Sequence, residues 1–373
     1  MVVGRTQKEL EPLQGLTEIT GSLLVQDNPD LVELPPFPLL RRIGRSLAIA
    51  HNDLLAEVHG FPVLEDLFGE IYVGANPQLA AFTLASGPLT IETLFVALNP
   101  SLVELRLPEI IEIKDDLRVM SNGHLQTLEV PELALVGRDF LLDDNPWLET
   151  IDFAALHAVE TWTLSGNAKL ASLAGFPALR KVTAAWLTDN DSLSAVRWAA
   201  SVEYFLRIED NDSLQYIEGT SPEHVFRLGV ANNLSLHGIY GFSTIQSLDR
   251  LWIKNNPALA ELKALPALES IDQLSIIDNQ AFLGPNDILP GLTEVTGDLS
   301  IYGNSQLPPG VVETLLLRVN VAGSIRVGDN QGQMTEHDPC PWPNDGVCDE
   351  LMGLYDVGTG LCASDQEDCA PMQ

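Results

Sequence analysis

The stretch Leu16-Thr-Glu-Ile-Thr-Gly-Ser-Leu-Leu-Val-Gln-Asp-Asn-Pro-Asp-Leu31 decides the fold. Its pattern returns far downstream as Leu292-Thr-Glu-Val-Thr-Gly-Asp-Leu-Ser-Ile-Tyr-Gly-Asn-Ser-Gln-Leu307. The centre of the unit, apolar-x-apolar-x-x-Asn followed three residues later by Leu, recurs between the two copies. It places asparagines at Asn28, Asn52, Asn76, Asn99, Asn122, Asn145, Asn167, Asn190, Asn211, Asn233, Asn256, Asn279, Asn304 and Asn330, with spacings of 21 to 26 residues. A fixed period in this range is the mark of a repeat architecture in which each unit buries its apolar face only against its neighbours.

Within a unit the residues before the asparagine alternate. Leu23 and Val25 are apolar, as are Leu117/Val119, Leu206/Ile208, Leu251/Ile253 and Ile325/Val327. Period two predicts a short strand with those pairs facing inward. Further apolar positions follow three and six residues after the asparagine, as at Leu31 and Leu34, and a Leu-x-x-Ile pair such as Leu40/Ile43 precedes the next strand. Inward residues thus fall at several corners of one coil. The segments between strands lack a helical period, so the expectation is an all-β coil of stacked strands, about 14 turns over residues 1–333. A cap or truncated turn is expected within residues 1–20.

The asparagine has a mechanical role in such a coil. Where the chain leaves the strand, backbone N–H and C=O groups point inward without ladder partners. An amide offers two donors and one acceptor, and stacked amides can satisfy the corner and one another. Asn28, Asn76, Asn99, Asn145 and Asn256, each followed by proline, mark fixed corners most clearly. Asn190, Asn211 and Asn233 also start glycosylation sequons. As ladder positions they are expected to face inward, out of reach of modification.

The string Leu-x-x-Ile-x-Gly-x-Leu-x-Ile/Val-x-x-Asn-Pro-x-Leu resembles the receptor L-domain family, over roughly residues 10–333. That family includes the ligand-binding L domains of the insulin and epidermal growth factor receptors and related fungal cell-wall proteins. The resemblance implies a right-handed parallel β-helix, an outward sheet able to bind ligand, and an extracellular place. The chain has many more turns, no cysteine-rich module between blocks of turns and neither a membrane span nor a kinase, so receptor signalling does not follow.

Composition bounds the partners. Among 373 residues, 20 are Lys or Arg and 52 are Asp or Glu, for a net charge of -32. Such a surface opposes nucleic acid and anionic lipid. The uncharged run from Ile71 to Ile91 reads as one full turn rather than a membrane span, because Asn76-Pro77, Gln78 and Gly87-Pro88 interrupt it. No leader is read at the start, where Met1-Val2-Val3-Gly4-Arg5 leads directly to repeat-like spacing at Leu10, Leu13, Leu16 and Ile19. A mature or truncated, extracellular or cell-surface chain, monomeric, is the expectation.

The outward strand position four residues before each asparagine forms a stripe. Tyr72, Phe95, Arg118, Trp186, Arg207 and Trp252 stand out on it as candidate ligand contacts, since aromatics and arginines offer large area with few rotamers. Strand propensity alone also favours aromatics there. Tyr72/Phe95 and Trp186/Arg207/Trp252 are read as two patches for a protein or glycan. Asp recurs beside the asparagines, as at Asp27, Asp144 and Asp210, which reads as turn chemistry ahead of an acidic cation ridge.

Residues 334–373 differ in kind. All four cysteines, Cys340, Cys348, Cys362 and Cys369, lie there, with eight carboxylates between Asp338 and Asp368. An even, clustered set without CxxC spacing reads as two disulfides in an oxidising compartment ahead of a zinc site. The pieces Asn344-Asp345-Gly346-x-Cys348-Asp349 and Asp365-x-Glu367-Asp368-Cys369 resemble Notch-type and lipoprotein-receptor-type calcium modules. That resemblance implies calcium on Asn344, Asp345, Asp349, Asp365, Glu367 and Asp368. No cofactor is otherwise required.

An enzyme is not expected. The histidines are scattered, no Gly-x-Ser-x-Gly or phosphate loop occurs, and Asp143 and Glu209, both outward, are three turns apart. That separation, on the order of 14 Å at strand spacing, is too long for a glycosidase pair. The reading is therefore non-catalytic recognition. The alternatives are a structural spacer, surface-layer or adhesion protein without a specific ligand and, behind it, a polysaccharide-active β-helix enzyme.

Overall fold

A computed structural model describes residues 2–4, 6–84, 87–220, 222–284 and 288–331. The cysteines and the candidate calcium ligands of the C-terminal segment lie outside these residues. The described chain is all-β, with parallel strands stacked as a β-solenoid of about 13 turns and only 6% helix. It divides into two units, Met1–Leu193 and Ser194–Gln373.

In the first unit, a long parallel sheet is built from the strands that precede the asparagines, among them Leu23–Gln26, Leu47–Ala50, Ile71–Gly74, Leu94–Ala97 and Leu117–Met120. They pair in strict register, so that Tyr72, Phe95 and Arg118 are consecutive neighbours across three strands. The apolar residues six after the asparagine form a second sheet, Glu57–Val58 through Thr150–Asp152. A third sheet of three short strands carries Ile19, Ile43 and Leu67. From Leu135–Asp143 onward this third strand and the long-sheet strand run into one another through a bend, with a register shift between Val136 and Asp139.

The second unit repeats the plan. Its long sheet contains Ser201–Glu209, Arg227–Ala231, Ser247–Lys254, Ser270–Ile277, Leu299–Tyr302 and Ile325–Gly328. Its second sheet contains Ala195–Trp198, Tyr216–Gly219, Gly238–Gly241 and Glu261–Ala264. The inward pairs are buried throughout, except that Ile325, in the last described strand, is partly exposed.

The asparagines do the work expected of them. All fourteen are at most 3% exposed. In the first unit, from Asn28 to Asn167, each side-chain Nδ2 donates to the next asparagine's Oδ1 at 2.8–3.4 Å. In the second unit the same bonds span 3.1–3.4 Å. Asn99 shows the full set: Nδ2 also donates to Val73 O at 3.0 Å and Ala97 O at 2.9 Å, and Oδ1 accepts from the Asn76 backbone N–H at 3.2 Å. Asn28 Oδ1, at the head of the ladder, is buried without a hydrogen-bond partner among the described residues. Asn190, Asn211 and Asn233 are fully buried, so their sequons present no accessible amide.

The residue before each asparagine is the sharpest corner. All fourteen adopt positive φ, from 50° to 71°. Six are Asp, two are Asn and two are Gly, the residues that tolerate this left-handed conformation. The recurrent Asp is therefore part of the turn. His51 is a further residue enriched at positive φ, whereas Ala75, Leu98 and Ser121 occupy the same corner without that tolerance.

The ends depart from the pattern. Strand Val2–Gly4 pairs with Leu23–Gln26, and two short helical segments, Gln7–Leu10 and Glu11–Gly15, follow it. Leu10 is fully buried there. A ten-residue helix, Pro309–Arg318, occupies part of the last turns and buries Val311, Val312 and Leu315. The absence of helical period expected between strands fails at this point. Proline in the first turn, the apolar spacing and Arg318 in the last turn are helix signals that the strand repeat overshadows.

Candidate functional site

The outward stripe differs between the units. In the first, Tyr72 and Phe95 stack with ring centroids 5.2 Å apart and planes 20° apart. Stacking follows from register, because the two residues are direct cross-strand partners. Arg118, the next partner, is held by two carboxylates: its Nη2 lies 3.0 Å from Asp116 and 3.0 Å from Asp139. Its charge is spent within the protein. Glu70, immediately before the Tyr72 strand, has its carboxyl pushed above the usual range by burial.

In the second unit, Arg207, Gly229 and Trp252 are consecutive cross-strand partners. Gly229 makes the arrangement possible. A Cβ there would stand 1.9 Å from one Trp252 ring carbon and 2.0 Å from another, so the indole lies across the strand at that point. Reaching past Gly229, Trp252 Nε1 donates to Glu209 Oε1 at 3.3 Å. The same oxygen accepts from Arg207 Nε at 3.1 Å, and the Arg207 guanidinium sits 5.6 Å from the indole centroid. The ring is thus fixed by a glycine slot, a carboxylate and a cation.

Comparison with family models, curated proteins and solved structures returns no match to this chain.

The sequence groups Trp186 with Arg207 and Trp252, but Trp186 belongs to the first unit and the other two to the second. Trp186 pairs with Thr163 in its own sheet. All six candidate side chains, Tyr72, Phe95, Arg118, Trp186, Arg207 and Trp252, are partly exposed on outward positions. Glu209, considered above as a catalytic carboxylate, is an acceptor for Arg207 and Trp252. Among the described residues no group of three or more His, Cys, Asp or Glu is placed to hold a metal ion, and no helix is long and apolar enough to cross a membrane.

Three features escape the sequence reading. Trp147, 47% exposed, stacks near His124 at 6.4 Å and lies 5.7 Å from Lys169 Nζ. All three sit two residues after a ladder asparagine, so the same register would have found them. On the second sheet of the second unit, Tyr240 Oη donates to Glu261 at 2.9 Å, and Lys263 holds the same carboxylate at 2.9 Å. Burial, then this bond to Glu261, raises the Tyr240 phenol to about 12. Arg227 is clasped between the Tyr204 ring at 4.8 Å and the Phe226 ring at 5.2 Å, and bonds Asp249. The hydrogen bond to Asp249 raises its pKa further.

Proposed function

We propose that this chain is a non-catalytic recognition protein, extracellular or at a cell surface, that binds a protein or glycan ligand on the outward face of its long sheets. The observation that carries the reading is the Trp252 assembly. A large aromatic lies across a glycine slot and is tied to Glu209 and Arg207, which supports reading it as preorganised contact area ahead of strand propensity alone. The ladder asparagines face inward and supply no ligand contacts. The resemblance to receptor L domains supports the same use of the sheet. The C-terminal segment, with its cysteines and acidic residues, is proposed as a disulfide-bonded module that takes calcium.

The test is a binding screen of the full chain against glycan and protein-surface panels, with and without calcium. A ligand whose affinity falls when Trp252 is replaced supports the reading. Failure to bind any member of either panel, in both conditions, would count against recognition and favour a spacer.

A further inference from the structure

Eight lysines and arginines lie from Ser194 onward, and five of them, Arg207, Arg227, Arg250, Lys254 and Arg326, occupy strands of the second unit's long sheet. In a chain of net charge -32 this concentration is selective. The neighbours of Trp252 make it sharper. Along its own strand, Arg250 and Lys254 flank it at alternate positions, and both are exposed. Across the sheet, Arg250, Trp252 and Lys254 pair with Arg227, Gly229 and Ala231 on one side. On the other side they pair with Gln273, Ser275 and Ile277. No carboxylate occupies this block of nine positions.

Carboxylates nearby are already engaged. Glu209 serves Arg207 and Trp252, and Asp249 serves Arg227. Asp272 accepts from the Thr296 hydroxyl, and Asp298 from the Ser324 N–H. The Arg250 side chain forms no hydrogen bond or ion pair among the described residues, and it is exposed. Lys254 feels Asp278 at the next corner, without forming an ion pair. Two cations that form no ion pair therefore bracket an aromatic ring of fixed orientation.

We infer that this block binds an acidic glycan. One sugar ring lies on the free face of Trp252, and carboxylate or sulfate groups of its neighbours meet Arg250 and Lys254. The inference rests on the recognition reading above and names its ligand class. A sugar fits better than an acidic protein, because the positions around Trp252 are Gly229, Ala231, Ser275 and Gln273, Ile277 is buried, and no exposed large apolar anchor is offered. Long-range repulsion from the net charge is screened over about 8 Å at physiological salt, so the local cations decide contact.

The experiment titrates the full chain with polygalacturonate and with heparin fragments, following tryptophan fluorescence and calorimetry. Neutral dextran, an acidic peptide and single-stranded oligodeoxynucleotide serve as comparisons. The expected result is binding to at least one acidic glycan that weakens at least tenfold in Trp252→Ala and in Arg250→Gln/Lys254→Gln, and with added salt. The double variant changes only exposed side chains and keeps the test independent of packing at Gly229. Equal binding of dextran, with affinity lost in Trp252→Ala and kept in the double variant, overturns the acidic class while recognition stands. Equal or tighter binding of the peptide or oligonucleotide overturns it as well. No binding to any of these probes, with a ligand found elsewhere on the broader panels, overturns the inference alone. No ligand on any panel removes both readings.

Discussion

The two units share one scaffold and present two different faces. Behind the face of each, the asparagine amides bond at nearly the same lengths, 2.8–3.4 Å in the first and 3.1–3.4 Å in the second. In front, the first unit pairs an aromatic stack with an arginine neutralised by Asp116 and Asp139. The second pairs a single indole with exposed Arg250 and Lys254, neither of them in an ion pair among the described residues. The same kind of sheet face thus carries different charge in the two units. A repeat fixes where side chains stand and leaves free what they are, so scaffold and specificity can vary separately.

The largest expected effect tests the shared half of this comparison. Asn99→Ala and Asn256→Ala each remove a buried acceptor used by the preceding asparagine and a donor used by two backbone carbonyls and the next amide. Each orphaned group costs roughly 1–3 kcal/mol, so both variants should melt several degrees lower by calorimetry. A large loss in one unit and none in the other would break the claim of a common scaffold.

Gly229→Val tests the part that differs. The new side chain collides with the Trp252 ring, and overpacking of this kind costs about 1–3 kcal/mol. Trp252 fluorescence should shift and ligand affinity fall, with the Tyr72/Phe95 face untouched. An unchanged emission spectrum would show that the glycine slot does not set the indole.

Corner strain offers a smaller, opposite effect. Leu98 holds φ at 59° while 58% exposed, so it bears the left-handed penalty with little burial to offset it. Leu98→Asn should raise stability by about 1 kcal/mol in a denaturant titration. A loss would mean that Leu98 contributes packing beyond its corner.

The smallest effect is pH-dependent and confined to the first face. Burial raises the Glu70 pKa above 4.5, so the folded chain holds that proton more tightly than the unfolded one. Its contribution is full below that value and is lost as pH rises through the folded pKa. Glu70→Gln should therefore stabilise slightly at neutral pH and not at pH 4. Equal melting curves of both proteins at neutral pH would remove the burial argument.

Much of the fold was legible because burial imposes period. The inward pairs, Leu31 and its equivalents, and the ladder asparagines announce themselves through spacing, and the structure buries them. The Pro309–Arg318 helix was hidden because its signals sit inside a turn that still carries the strand repeat around it. The left-handed corners were only half visible: Asp27 and Asp210 suggest them, whereas Leu98 and Ala75 do not. At the site, register located Trp252, but its tie to Glu209 across Gly229 depends on a side-chain direction that no spacing reports. The block around it needed cross-strand partners from strands some 23 residues apart in sequence, which pairing alone reveals.

The central claim is that the outward sheet face binds and the asparagine ladder only supports. The most direct measurement compares Trp252→Ala with the native chain, reading affinity for the ligand selected on the panels together with the melting temperature. The account predicts at least a tenfold loss of affinity with the solenoid still cooperatively folded. Unchanged affinity in a folded Trp252→Ala protein would contradict it.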